Sequence, residues 1–245
     1  MEKVDILVPP EFNKSGLIKT RDQAIKDADW LGGFHLWIVR TSPEPGLIFQ
    51  QRSFTKATWP GQLDVSAAGH YMAGEAITDG MREVREELGK NYSFDKLTYL
   101  GKKVFVGLTE DKQKLQTVCD VFFTIDNAPL ASFQLQKEEL AGIMVLPLRD
   151  ILKIFTQPNY SFTTQITDVN KKTSLKTITI ADFIKNWDNY QYKIAILAQK
   201  YINGENNLFY EFFLSTYFAP LVLPILEISC LSIRSFKSRK IVSSE

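Results

Sequence analysis

The sequence predicts an α/β fold, and three observations carry that prediction. Short apolar runs bounded by Gly, Pro and charged turns recur through the chain, the pattern of strands. Stretches of helical spacing lie between and after them. The composition, 44% apolar and 23% charged over 245 residues, is that of an ordinary globular protein with one large core, or one domain plus extensions.

Taken in order, Val4 to Val8 reads as a short strand stopped by Pro9 and Pro10, with a polar linker after it. Arg21 to Trp30 reads as a short helix closed by Gly32 and Gly33. Phe34 to Arg40 and Gly46 to Gln50 are compact apolar runs, and Pro43-Glu44-Pro45-Gly46 makes them a hairpin. His35, inside the first run, reads either as a ligand or base or as a packed, hydrogen-bonded strand residue. Leu63 to Ala68 is another strand. Leu97 to Val106 and Leu115 to Ile125 are two more, joined by a charged turn at Glu110-Asp111-Lys112. Leu140 to Leu146 is a further apolar run, and Pro147 opens a helix through Phe155, since proline is tolerated in a first turn. Residues 157–178 are polar and Thr-rich, a loop or hairpin. Ile180 to Ile202 reads as one or two amphipathic helices, with Trp187, Tyr190, Ile194 and Leu197 as apolar candidates.

The chemistry concentrates between Gly69 and Gly89. Four carboxylates, Glu75, Glu83, Glu86 and Glu87, fall within thirteen residues. On a helix Glu83, Glu86 and Glu87 stand at i, i+3 and i+4 and project from one face, where like charges repel. A hard divalent cation, Mg2+ or Mn2+, would remove that repulsion and use them as ligands. A solvated acidic face offset by Arg82 and Arg85 accounts for the same letters.

The strand, the Gly-rich turn and the helix carrying Arg-Glu-Val-x-Glu-Glu-x-Gly at 82–89 resemble the box of Nudix hydrolases. Gly69 and Glu75 fit the first spacing of that pattern; Arg82, Glu83, Val84, Glu86, Glu87 and Gly89 fit its last block. Two positions depart: the segment between Glu75 and Arg82 is one residue short, and Lys90 replaces an apolar residue. Upstream, Gln50-Gln-Arg-Ser with Lys56 and a Pro-Gly turn is similar to the subgroup that resembles isopentenyl-diphosphate isomerases. The resemblance implies a mixed sheet flanked by helices, an α-β-α sandwich, over residues 32–160. Residues 1–31 are then a strand and helix extension, 161–205 a helical extension, and 206–245 an apolar tail.

The implied activity is metal-dependent hydrolysis of a phosphoanhydride in a small-molecule diphosphate, with Glu83, Glu86 and Glu87 holding the Mg2+ or Mn2+. Catalysis falls to the same three and Arg82, which reads as an orienting ion-pair partner. Arg52 and Lys56 are typed for phosphate, one a two-pronged donor and the other a mobile charge. Gly69 and Gly74 would let the loop bend around the metal. An additional Glu from a later loop, Glu138 or Glu139, would serve as ligand or base. Isomerase is disfavoured, because the loop Asp64 to His70 has no Cys and Cys119 lies on a later strand. The alternative in another class is a diphosphate-binding regulatory module without turnover.

A net charge of +1 argues against a nucleic-acid backbone binder. Two cysteines, Cys119 and Cys230, are too few for a disulfide framework, and with no secretory pattern at the start this points to the cytoplasm. Phe212 to Ile233 is long enough for a membrane span and is followed by Arg234, Lys237, Arg239 and Lys240. Pro220, Pro224 and Glu227 interrupt it, which favours a terminal core segment over membrane contact.

Overall fold

A computed structural model describes residues 2–108, 112–185, 188–205 and 207–208. The turn residues Glu110 and Asp111, Trp187, Cys230 and the apolar run 212–233 lie outside the described residues. No helix among the described residues is long and apolar enough to cross a membrane.

Strand β3 (Trp30–Arg40) is the centre of a single mixed sheet. Its one edge pairs in parallel with β8 (Lys114–Ile125), from Trp30 opposite Gln116 to Val39 opposite Ile125. Its other edge is shared by three antiparallel partners in turn. These are β1 (Lys3–Val8) at Leu31, β6 (Ala67–His70) at Gly33 to Leu36, and β4 (Gly46–Arg52) at Ile38 to Arg40. Beyond β4 the sheet continues through β9 (Leu140–Pro147), β10 (Phe162–Asp168) and β11 (Thr173–Ile178). Edge strand β2 (Asn13–Thr20) flanks β1, β7 (Thr98–Leu108) flanks β8, and the short β5 (Leu63–Asp64) sits on β4.

Alternation along β3 divides the core between two faces. Trp37 and Val39 join Leu47, Phe49 and the apolar stripes of α3 (Leu148–Thr156) and α4 (Tyr190–Ile202). Phe34, Leu36 and Ile38 join Met81, Val84 and Leu88 of α2 (Met81–Leu88). Each such buried side chain contributes about 1.5–3 kcal/mol of transfer free energy. Helices therefore cover both faces, the α-β-α arrangement that the sequence predicts. The short α1 (Arg21–Lys26) starts from a Thr20 side-chain cap and buries Ala24 against β1.

Strands β3 and β4 pair only near their hairpin and then diverge. Residues 63–70 fill the wedge, β5 pairing with β4 and β6 with β3. At its apex the fully buried Ser66 hydroxyl accepts from the Ile38 amide at 2.9 Å and donates to the Ile48 carbonyl. One side chain thus replaces a ladder bond where the two backbones part.

Four expectations change. The helical extension expected at 161–205 begins instead with the β10–β11 hairpin, which extends the central sheet through β9, and its α-helix is α4 alone among the described residues. The helix from Arg21 stops at Lys26, because Trp30 to Gly33 are needed by β3 to match the length of β8. Gly33 is there for close packing, since a Cβ would lie 2.8 Å from Cys119 Sγ. The polar linker after Pro10 is the edge strand β2, whose exposure leaves no apolar alternation to read. Leu63 to Ala68 is two strands, broken at the wedge apex.

Ser66→Ala orphans a buried amide and a buried carbonyl, at about 1–3 kcal/mol for each left unpaired. Denaturant unfolding should show a loss of about 2–6 kcal/mol, the two groups together. A change under ~0.5 kcal/mol, within the scatter of ordinary surface changes, would mean that β3 and β4 close directly on one another.

Candidate active site

The wedge opens into a cleft of about 630 Å³ that brings together β3, β6, β7, β8, α2 and the loop before β9. Helix α2 presents its acidic face to it. Glu87 is the deepest carboxylate, only 5% exposed, and accepts from the Ala68 amide of β6 at 3.1 Å. Glu83 is largely buried, while the Glu86 side chain is 50% exposed at the rim. The predicted helical face is therefore real, but its three members sit at three depths.

Arg82 ties the acids together. Its guanidinium meets Glu75 at 3.0 Å, Glu83 at 2.9 Å and Glu86 at 3.0 Å, and it also donates to the His70 carbonyl at 3.3 Å. Glu75 accepts in addition from the Met72 amide at 2.7 Å, so the shortened loop still delivers it to Arg82. Gly74 takes the left-handed conformation, φ +87°, that a tight turn requires. Gly69 has a different task from bending the loop. It lies in β6, and a Cβ there would fall 2.0 Å from the Glu83 carboxyl carbon. The absent side chain is the space that the Glu83 carboxylate occupies.

Removal from water is the largest influence on these acids. It pushes Glu83 up to about 7 and Glu87 well above the usual carboxylate range, with Arg82 and the Ala68 amide working against it. Among the described residues no ready-made trio of His, Cys, Asp or Glu surrounds a cation position. Arg82 holds Glu83 and Glu86, and the Ala68 amide holds Glu87.

The same cleft is lined by the basic candidates. Arg52 reaches Asp64 at 3.1 Å, and bonds the Thr58 carbonyl and hydroxyl at 3.1 and 3.3 Å. Lys56 is paired with Glu139, which lines the cleft, whereas Glu138 faces solvent beside Lys137. Lys90 lies away from the cleft, 3.1 Å from Asp126 and 4.0 Å over the Phe133 ring. That substitution leaves the site untouched.

Deeper in, His35 Nδ1 lies 3.0 Å from the Tyr190 hydroxyl, and desolvation holds its ring down to about 4. His70 is likewise depressed to about 3, first by desolvation and then by Arg21. Both are neutral imidazoles near neutral pH. Cys119 lines the floor as an inert thiol, raised to about 12 by burial. Lys103, buried on β7, sits 4.4 Å from the Tyr190 ring centre. The sequence reading misses Asp64, His70, Lys103 and Arg21. Alternation could have found Lys103, since 103 and 105 share one face of β7, as 115, 117 and 119 share one of β8.

Residues 34–166 match the NUDIX domain. The chain belongs to the Nudix family. An uncharacterised Nudix hydrolase of Clostridium acetobutylicum is 32% identical over 74% of this chain and 81% of its own length. Nudix hydrolase 3 of Arabidopsis thaliana is 34% identical over 61% of this chain, which corresponds to 20% of that longer protein. Among solved structures, DR0079 of Deinococcus radiodurans is similar, with 21% identity, 64% of this chain and 90% of that one covered, and a TM-score of 0.48. The protein is thus a Nudix-type pyrophosphohydrolase, an enzyme acting on acid anhydrides.

In this Nudix hydrolase Gly69→Ala forces the end of a flexible side chain, Glu83, to move, and spares the backbone. Hydrolysis should fall by about tenfold or more, the loss of one transition-state interaction of roughly 1.4 kcal/mol. The melting temperature should change by only a few degrees. Wild-type turnover in the variant would remove Glu83 from the reaction.

Proposed function

We propose that this Nudix hydrolase cleaves the phosphoanhydride of a small-molecule diphosphate joined to a second moiety, with Mg2+ or Mn2+ as cofactor. The observation that carries the reading is one cleft lined by Glu83, Glu86, Glu87 and Glu139 together with Arg52 and Lys56. Glu83, Glu86 and Glu87 fit a hard divalent ion: all their donors are oxygens, and two are desolvated acids whose charge lacks full compensation. When bound, the ion supplies charge neutralisation on the phosphates and a bound water of lowered pKa.

The chain's own groups supply the rest. Arg82 fixes the rotamers of Glu75, Glu83 and Glu86, so they are positioned before substrate arrives. Arg52 contributes positive charge to the same cleft while its fork is held by Asp64 and Thr58. Lys56, a mobile point charge, can exchange Glu139 for a phosphate oxygen. That exchange leaves the Glu139 carboxylate free to accept the proton of the attacking water, the role of the general base. Catalysis then rests on positioning and charge neutralisation, as in other phosphoryl transfers. A regulatory module without turnover was suggested by the short loop and Lys90; Glu75 still reaches Arg82, and Lys90 lies elsewhere.

The cation and the proton compete for the same oxygens, which fixes a pH dependence. A carboxyl raised in the folded state favours folding when protonated, so its contribution is lost as pH rises through about 7 for Glu83. Mg2+ should therefore raise the melting temperature more at pH 8 than at pH 6, by mass action. Glu87→Gln should shrink that increment and lower hydrolysis by orders of magnitude, while Glu138→Gln changes neither. Glu139→Gln should keep the Mg2+ shift and lose turnover. If Glu87→Gln keeps both the shift and full activity across a panel of diphosphates, the acidic face is only solvated and the reading fails.

A further inference from the structure

The segment before the matched domain also reaches the cleft. Glu2, Arg21 and Ile25 line the same cavity as Glu83, Glu86 and His70. The backbone of Arg21 is fixed: its amide donates to the Glu2 carbonyl at 3.0 Å, and α1 is anchored through buried Ala24. Its side chain is another matter. The ion pair to Glu2 is long, 3.7 Å between partners that are each more than a third exposed. Arg21 Nε is buried and has no hydrogen-bond partner among the described residues.

The contrast with the other basic groups decides the assignment. Every nitrogen of the Arg52 guanidinium bonds to Asp64 or Thr58. Arg82 is consumed by Glu75, Glu83 and Glu86. Lys56 is held by Glu139. Among the described residues the part-exposed end of the Arg21 fork has only the long pair to Glu2, and a guanidinium left in that state is matched by a planar or tetrahedral oxyanion. Beside an acidic cluster it also offsets the repulsion that a phosphate meets there.

We propose that Arg21 is a substrate-binding residue that grips phosphate oxygens of the diphosphate in the cleft it shares with Arg52 and Lys56. This rests on the cleft being a diphosphate site and adds a contact from outside the matched residues 34–166. The grip is a binding contact, made in ground and transition state alike, so it governs affinity more than the chemical step.

The test uses the full chain, Mg2+, and methylenediphosphonate, a diphosphate analogue that cannot be hydrolysed, with titration calorimetry as readout. The wild type should bind it. Arg21→Ala should weaken binding about tenfold and raise KM for the best diphosphate of the panel by a similar factor, leaving kcat within about twofold. Arg21→Lys should recover part of the loss, because it restores charge without the fork. Arg149→Ala, an exposed arginine paired with Glu44 and far from the cleft lining, should change nothing. Equal affinity of Arg21→Ala and wild type overturns the Arg21 assignment alone. No binding by the wild type, with no hydrolysis of any diphosphate, overturns the diphosphate reading and this proposal with it. Because the Arg21 side chain makes one long ion pair among the described residues, the melting temperature of Arg21→Ala should stay near that of the wild type; a large drop with unchanged analogue affinity assigns it to structure.

Discussion

Everything the site does depends on two strands that start paired and then part. β3 and β4 share a register only at Ile38 to Arg40, and the right-handed twist of a sheet makes such splaying natural once a third segment can enter. The segment that enters is 63–70, and the Ser66 hydroxyl satisfies both backbones at the branch. Without that hydroxyl, two buried polar groups would face each other across a gap too wide for a ladder bond. With it, β6 is carried along β3 to Gly69, and α2 packs its apolar stripe onto Phe34, Leu36 and Ile38. The acidic face of α2 then has only one direction to point, into the wedge.

That placement costs solvation, and the chain offsets it only in part. Three acids on one helix face, two of them drawn out of water, would be destabilising alone. Arg82 compensates Glu83 and Glu86, and a backbone amide compensates Glu87. Removal from water, reinforced by the neighbouring carboxylates, raises the proton affinity of Glu83 and Glu87 by more than Arg82 and the Ala68 amide offset. Under the proposed function, that incomplete compensation is what a hard cation would complete. Full internal neutralisation would give a more stable helix and a poorer binding site.

The carboxylate helix, the strand and turn before it, and most apolar runs were legible in the sequence, because each is a local pattern with its own period. Pro147 at the start of α3 was legible for the same reason, whereas the Thr-rich stretch left loop and hairpin open and its place in the sheet was not foreseen. β2 was not, since an exposed polar edge strand has no apolar alternation. The division of labour between Glu138 and Glu139 was not legible either. Both lie in the turn before β9, closed by the Glu139 and Leu140 amides on the Gln136 carbonyl, and the geometry of that turn decides which one faces the cleft. Gly69 was noticed as a turn residue, yet its reason is a side chain fourteen positions later, Glu83. Arg21 was invisible because its cleft is assembled from segments far apart in sequence.

The N-terminal hairpin explains how a loop one residue short still places Glu75 against Arg82. Three hydrogen bonds tie the residues that lead into that loop to β1 and β2: Ala73 N–H to the Lys3 carbonyl at 2.8 Å, Gly74 N–H to Asp5 at 2.8 Å, and Lys14 to the Glu75 carbonyl at 2.8 Å. Asp5 and Lys14 are themselves paired at 2.7 Å, and the lysine draws Asp5 below the usual carboxylate range despite burial. The loop backbone is thus held from outside and does not rely on its own length to set the position of Glu75. Shortening a loop lowers the entropy lost in ordering it but narrows the conformations it can take. An external clamp selects among those few the one that puts Glu75 against Arg82. The hairpin that clamps the loop also leads, through Thr20, directly into Arg21, so one short segment sets the near wall of the cleft and the acid that orients its central arginine.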